Sequence, residues 1–145
     1  MTTSLAFQLL NALVLPWWGV WIAAPRSAWA IRAASHAGIF TVLAAAYAVL
    51  LAAAIGSGGL AGLDFDSLRA ALSTPLGFLA GWTHYLVLDL FAGAWIVREA
   101  RRLELGPRPY LVFALLVAPI GLGSFLVRRA LRLRSFGQLG ESDLA

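Results

Sequence analysis

A chain of 145 residues that is 61% hydrophobic and 12% charged carries more apolar surface than a soluble fold of that size can bury, so lipid is the expected solvent for much of it. It has no cysteine, which excludes disulfides, thiolate chemistry and cysteine-ligated metals. Its eleven basic residues are all arginine; they stand at the ends of apolar stretches and suit anionic headgroups, so membrane lipids are expected partners and nucleic acid is not.

Charges are absent from residues 1–25, 33–63 and 110–127, and residues 70–97 carry only Asp89. Each stretch can supply a membrane helix of about 20 residues. The expected fold is all-α: one polytopic membrane domain, residues 1–145, built as a four-transmembrane-helix bundle with spans near 4–24, 38–55, 75–97 and 110–127.

The first span has no basic residue ahead of it and is rich in tryptophan, so it is expected to stay as a span and not to be removed as a secretory signal. Pro16 interrupts it, which predicts a kink and a freed carbonyl in the preceding turn. Gln8, Asn11 and Trp18 share a face at helical spacing, and Trp17, Trp18 and Trp21 lie toward the Arg26 end, where an interfacial aromatic belt belongs. Residues 25–37 are expected to lie on the membrane surface. The second span carries a small-residue ladder, Ala44, Ala48 and Ala52, suited to close helix contact, and ends at Gly56, Gly58 and Gly59.

Between the second and third spans, Asp66 is the expected N-cap of a short amphipathic turn through Leu68 and Leu72. Thr74 is expected to cap the third span, with Pro75 in its first turn. Gly77 and Gly81 form a GxxxG pair near its start. Residues 99–108 read as a short charged connector. Pro119, Gly121 and Gly123 predict a kinked, thin fourth span, and residues 128–145 a basic and then polar tail that frays. Four spans leave six arginines on one side and five on the other, a bias that does not choose an orientation.

Chemistry concentrates in the third span. Asp89 and His84 lie near its midpoint, Leu86, and an ionisable group at that depth marks a site or a packing lock. Trp82, Tyr85 and Asp89 share one helix face; His84 lies about 140° away, on the face of Leu88, Phe91 and Trp95. One reading makes Asp89 an acid or base in an apolar pocket lined by Trp18, Trp82, Tyr85 and Trp95, with Asn11 as its polar partner and His84 as a second proton site. The other makes Asp89, Asn11 and His84 hydrogen-bonded locks. No metal site is expected, since His36 and His84 differ in depth. No nucleotide loop is expected either, because Gly56 to Gly62 lack the strand and lysine such a loop needs.

The run FQLLNALVLPWWGVWIAAP followed by Arg26, the third-span run GWTHYLVLDLFAGAWIV and the fourth-span run VAPIGLGSFLVRR resemble the abscisic-acid-deficient-four-like membrane proteins, the family of plant neoxanthin synthase. The likeness covers most of the chain, and Trp82, His84, Asp89, Leu90, Phe91, Gly93 and Trp95 carry its third-span pattern. Ala94 stands where the resemblance leads one to expect arginine. The resemblance implies conversion of the epoxy-carotenoid violaxanthin to neoxanthin without a redox cofactor, an isomerisation needing an acid on the epoxide oxygen and a base for the departing proton. It casts Asp89 as the acid and His84 or a water as the base. Two readings stay open: an isomerase acting on a carotenoid or related isoprenoid lipid, or a non-enzymatic, pigment-binding or accessory subunit of a larger membrane complex or homo-oligomer. The arginine-only, lysine-free composition points to a bacterial inner membrane.

Overall fold

The computed structural model describes residues 2–59 and 61–136. Those residues form seven helices: α1 (Thr3–Ala23), α2 (Ala28–Ser35), α3 (Gly38–Gly56), α4 (Phe65–Leu72), α5 (Pro75–Arg102), α6 (Arg108–Leu116) and α7 (Ala118–Leu133). No strand occurs among the described residues. Three helical stretches are long and apolar enough to cross a membrane: Thr3–Ala23, Ala28–Gly56 and Pro75–Arg102. At about 1.5 Å per residue, α1 and α5 reach about 32 and 42 Å, against a hydrocarbon core of about 30 Å.

The chain forms two compact units, one of Met1–Pro16 and His36–Phe91, the other of Trp17–Ser35 and Ala92–Ala145. Helices α1 and α5 each contribute residues to both. α1 is assigned as helix straight through Pro16, and Thr2 opens it, its hydroxyl accepting from the Leu5 amide at 3.3 Å.

In the first unit the loop before α5 is built by capping. Asp64, not Asp66, is the N-cap of α4: its carboxylate accepts from the Ser67 amide at 3.1 Å and the Ser67 hydroxyl at 2.6 Å. A capping side chain must reach the amide three residues on; Asp66 already lies inside the first turn, 3.9 Å from Arg69. Thr74 caps α5 as expected, accepting from the Gly77 amide at 3.0 Å while its hydroxyl donates to the Ala71 carbonyl at 2.8 Å. A Cβ on Gly77 would come to 2.0 Å from that carbonyl, and one on Gly81 to 2.9 Å from Leu72 Cδ2. The glycine pair therefore makes room for α4 rather than for another membrane helix. The alanine ladder of α3 is likewise not a contact face among the described residues: Ala44, Ala48 and Ala52 are exposed, and the buried residues of α3 are Ile39, Leu43 and Ala54.

The second unit is knit at the end where α1 and α5 finish. Trp18 and Trp21, expected at a lipid interface, are buried in protein, edge to face at 5.6 Å. They lie over Gly93, where a Cβ would meet Trp18 at 2.7 Å. Trp21 Nε1 donates to the Ala30 carbonyl at 3.2 Å. Arg108 closes the C-terminus of α1, donating to the Ile22 and Ala23 carbonyls at 3.1 and 2.9 Å. Arg98 donates to the Ala34 carbonyl and Arg101 to that of Arg26 at 3.0 Å.

The fourth apolar segment is not the single kinked helix expected over 110–127. It breaks at Val117, whose φ of −148° and ψ of 84° are not helical, just ahead of Pro119, which has no amide to donate back to the preceding turn. The chain then doubles back. A Cβ on Gly121 would stand 2.3 Å from the Ala114 amide nitrogen, and the rings of Tyr110 and Phe125 meet at 5.4 Å. A continuous helix would hold the first pair about 10 Å apart and the second about 22 Å. So α6 and α7 are the antiparallel arms of a helical hairpin. The basic start of the expected tail is helix as far as Leu133; residues 137–145 lie outside the described residues.

Candidate functional site

Helix α5 presents two chemically different faces in the first unit. Its first turns carry Phe78 and Trp82, stacked at 6.1 Å and an interplanar angle of 20°, and both pack on Phe7 of α1, at 6.4 and 5.2 Å. One turn along α1, the Asn11 side-chain amide donates to the Phe7 carbonyl at 2.7 Å and its oxygen accepts from Trp82 Nε1 at 3.4 Å. Asn11 is thus directed to Trp82, and the expected bond from Asn11 to Asp89 is not made. The stack of aromatic rings sets which turns of α1 and α5 stand level, and Trp82 is the α5 residue whose polar atom arrives beside Asn11.

The opposite face meets α3. His84 lies against the Tyr47 ring at 5.5 Å and edge-on to Tyr85 at 6.2 Å, while Phe40 of α3 meets Phe91 edge to face at 5.8 Å. α5 is regular helix from residue 84 to residue 89, so His84 and Asp89 point to different sides of it. Tyr47, Phe7 and Phe78 are residues of this site that the sequence reading left out. Their signal is present in the chain: Phe7 with Asn11 and Phe78 with Trp82 are both pairs at one-turn spacing.

Asp89 continues the stripe of Phe78, Trp82 and Tyr85. It is half-buried, and among the described residues it accepts no hydrogen bond and has no ion-pair partner. Two cavities open in the same unit. One, of about 590 Å³, is bounded by Thr3, Phe7, Leu72, Thr74 and Phe78. The other, of about 430 Å³, is an apolar cleft lined by Leu9, Leu10 and Leu13 of α1 and Ala45, Ala46 and Val49 of α3. Asp89 lines neither. A neutral apolar chain fits the second cleft by its chemistry, since hydrocarbon side chains make up its walls.

The remaining expected site residues, Trp18 and Trp95, belong to the second unit. Trp18 packs on Trp21 and Gly93 as described, and Trp95 meets Phe125 of α7 edge to face at 5.5 Å. Ala94 is fully buried in that unit; its methyl group occupies a packed position with no exposure for a guanidinium head.

The second unit also buries a charge cluster drawn from the expected charged connector, residues 99–108, and from the basic start of the expected tail. Glu99 is 8% exposed and Arg129 2%. Glu99 Oε1 accepts from Arg129 Nε at 2.7 Å and from Arg102 Nη2 at 2.6 Å, and its Oε2 accepts from Arg102 Nε at 2.8 Å. The Glu99 and Arg102 spacing of three residues signals half of this cluster; Arg129 is too distant in sequence to be signalled locally. The geometry is that of a structural clamp joining α5 to α7, with both carboxylate oxygens engaged.

No described set of histidine, aspartate and glutamate side chains has the arrangement needed to hold a metal ion. Comparison with known proteins adds one identification. A family model described as ABA DEFICIENT 4-like matches residues 5–125. No curated protein and no solved structure matches the chain. The matched region takes in both faces of α5, all of α6 and α7 as far as Phe125, and the chain belongs to the ABA DEFICIENT 4-like family.

Proposed function

We propose that this chain is a multi-pass protein of a bacterial inner membrane that acts on a carotenoid or related isoprenoid lipid, with Asp89 as its proton-transfer group. The observation that carries the reading is Asp89 itself: a half-buried carboxyl with no partner among the described residues, on an apolar helix, in line with Phe78, Trp82 and Tyr85. A carboxylate at bilayer depth is costly by several kcal/mol and is retained where it has work to do.

For an epoxy-carotenoid the step balances within one substrate. Asp89 in its acid form donates its proton to the epoxide oxygen as the ring C–O bond breaks. The resulting carboxylate then takes the proton leaving the neighbouring carbon, whose electron pair completes the allene. The product is an isomer of the substrate, and no redox cofactor is required. One carboxyl serves as acid and then base, so His84, turned toward Tyr47, is not required for the transfer. Trp82, held by Asn11, and Tyr85 give the polyene a flat aromatic surface in line with Asp89.

A second reading, a pigment-binding or accessory subunit without catalysis, is favoured by Ala94, buried where the resemblance leads one to expect arginine. In that reading the exposed alanine ladder of α3 takes a neighbouring helix of a homo-oligomer or a larger complex. Purified protein incubated with violaxanthin separates the two. The isomerase reading expects an allenic product from the wild type and none from Asp89→Asn, with pigment still bound by the variant. Pigment retained by the wild type without any turnover supports the accessory role.

A further inference from the structure

We infer that the α6–α7 segment is a re-entrant hairpin that enters the membrane and leaves on the side it came from, so that ten of the eleven arginines stand on one side of the membrane and the exposed ones among them bind the anionic headgroups of that leaflet. The inference rests on the membrane-spanning part of the proposed function and not on its chemistry.

Two residue pairs across the break fix the direction of the arms. The pairs Ala114 with Gly121 and Tyr110 with Phe125 share a centre between residues 117 and 118, where the helix breaks. The arms are therefore antiparallel with Val117 at the tip. The shorter arm, α6, has nine residues and reaches about 14 Å, less than half of a hydrocarbon core of about 30 Å. At the open end, Arg129 of α7 is held to Glu99 near the C-terminus of α5, and Arg108 of α6 is held to the last carbonyls of α1. Both arms thus begin and finish at the level where α1 and α5 end.

Sidedness follows from connectivity. With α1, α3 and α5 as the spans, the 24–37 connector and the end of α5 share one side, which holds Arg26, Arg32, Arg98, Arg101, Arg102 and Arg108. A fourth crossing would carry Arg128, Arg129, Arg132 and Arg134 to the opposite side. The hairpin returns them to the first, leaving only Arg69 of α4 across the membrane. The six-to-five balance of four spans becomes ten to one, and the positive-inside rule then places this end in the cytoplasm and the N-terminus outside. Arg26, Arg128, Arg132 and Arg134 are exposed there, at the level of the cytoplasmic headgroups, whose negative surface potential attracts them.

The absence of native cysteine permits a direct test with single-cysteine variants at exposed positions: Ala28→Cys, Ala61→Cys and Phe136→Cys. Each is expressed in bacterial cells, and a membrane-impermeant maleimide is applied to spheroplasts before and after permeabilisation. The inference expects Ala61→Cys to label from outside, and Ala28→Cys and Phe136→Cys to label only after permeabilisation. If Phe136→Cys labels with Ala61→Cys while Ala28→Cys stays protected, the segment crosses fully and the hairpin topology is overturned. If Ala28→Cys and Phe136→Cys are the pair labelled from outside, the leaflet assignment is overturned. If Ala28→Cys and Ala61→Cys label alike, the membrane-spanning reading itself fails. For the headgroup partner, protein taken from membranes of equal phosphatidylglycerol and phosphatidylcholine should retain an excess of phosphatidylglycerol in native mass spectrometry. That excess should fall in the Arg128→Gln/Arg132→Gln variant; equal retention of the two lipids by the wild type would overturn this part.

Discussion

Glu99 and Arg129 stand 30 residues apart in sequence and 2.7 Å apart in the folded chain. Arg102 holds the other side of the same carboxylate, so one acidic group fixes the end of α5 to the returning arm of the hairpin. Removing one member of a buried pair leaves the remaining charge poorly compensated and costs about 3–5 kcal/mol. Glu99→Ala should therefore lower the unfolding temperature in detergent sharply. Glu99→Leu combined with Arg129→Met should recover part of that loss, because the deeply buried Arg129 charge goes with its carboxylate, while Arg102, whose side chain is 22% exposed, can reach solvent. A double variant no more stable than Glu99→Ala would show that the clamp is not the source of the effect.

Gly121 and Gly123 lie on the same helix and should respond in opposite directions to alanine. At Gly121 the new methyl would stand 2.5 Å from the Ala114 Cα, a backbone neighbour that cannot rotate away, and the strain should destabilise by about 1–3 kcal/mol. At Gly123 no described residue beyond its own helix neighbours would lie within 4 Å of the new methyl, so Gly123→Ala should gain up to about 1 kcal/mol of helix propensity. Thermal unfolding of the two variants side by side checks the hairpin packing; equal shifts would contradict it.

Ala94→Arg tests whether the arginine suggested by the family resemblance can be restored. Ala94 is fully buried, and a long cation placed there without a partner should destabilise by about 3 kcal/mol or more. The expected result is loss of folded protein on size-exclusion chromatography, not gain of turnover. A well-folded variant would show that the α5 surface around residue 94 opens more readily than its packing indicates.

The cap of α4 should weaken in acid. Hydrogen bonds from the Ser67 hydroxyl and amide hold the Asp64 carboxyl below the usual aspartate value of 3.8. A carboxyl lowered in the folded state contributes stability that is complete above its unfolded pKa and is lost as pH falls through the folded value. Amide exchange in α4 of the wild type should accordingly quicken as pH drops below about 4, beyond the intrinsic pH dependence of exchange. In Asp64→Asn this additional quickening should be absent.

Much of the helical content was legible because it depends on local sums. Charge-poor length announces α1, α3 and α5 wherever their neighbours lie, and the Thr74 cap with Pro75 is complete within four residues. Direction was not legible. Pro119 and Gly121 signal that the helix is interrupted, but a kink and a reversal use the same residues; only the approach of Gly121 to Ala114 distinguishes them, and that is a tertiary fact. Asp64 and Asp66 are both acids at the start of α4, one ahead of it and one in its first turn, and the capping partner, Ser67, stands at the right distance from only one. The chemistry of Asn11 was misdirected for a related reason. Its polar face was visible, but the stacking of Phe7, Phe78 and Trp82 determines which turn of α5 it meets, and it meets Trp82 rather than Asp89.

The long-range capping of α1 has a consequence for biosynthesis. The last carbonyls of the first membrane helix accept from Arg108, a residue 85 to 86 positions downstream. At translation rates of about 5–20 residues per second, the ribosome delivers that guanidinium roughly 4–17 s after the helix has been made. In the interval the end of the nascent first helix has to rely on interfacial water. The unit that includes Trp17–Ser35 likewise waits for the segment beginning at Ala92. A chain stalled before Arg108 would therefore expose an uncapped helix end together with uncovered Trp18 and Trp21.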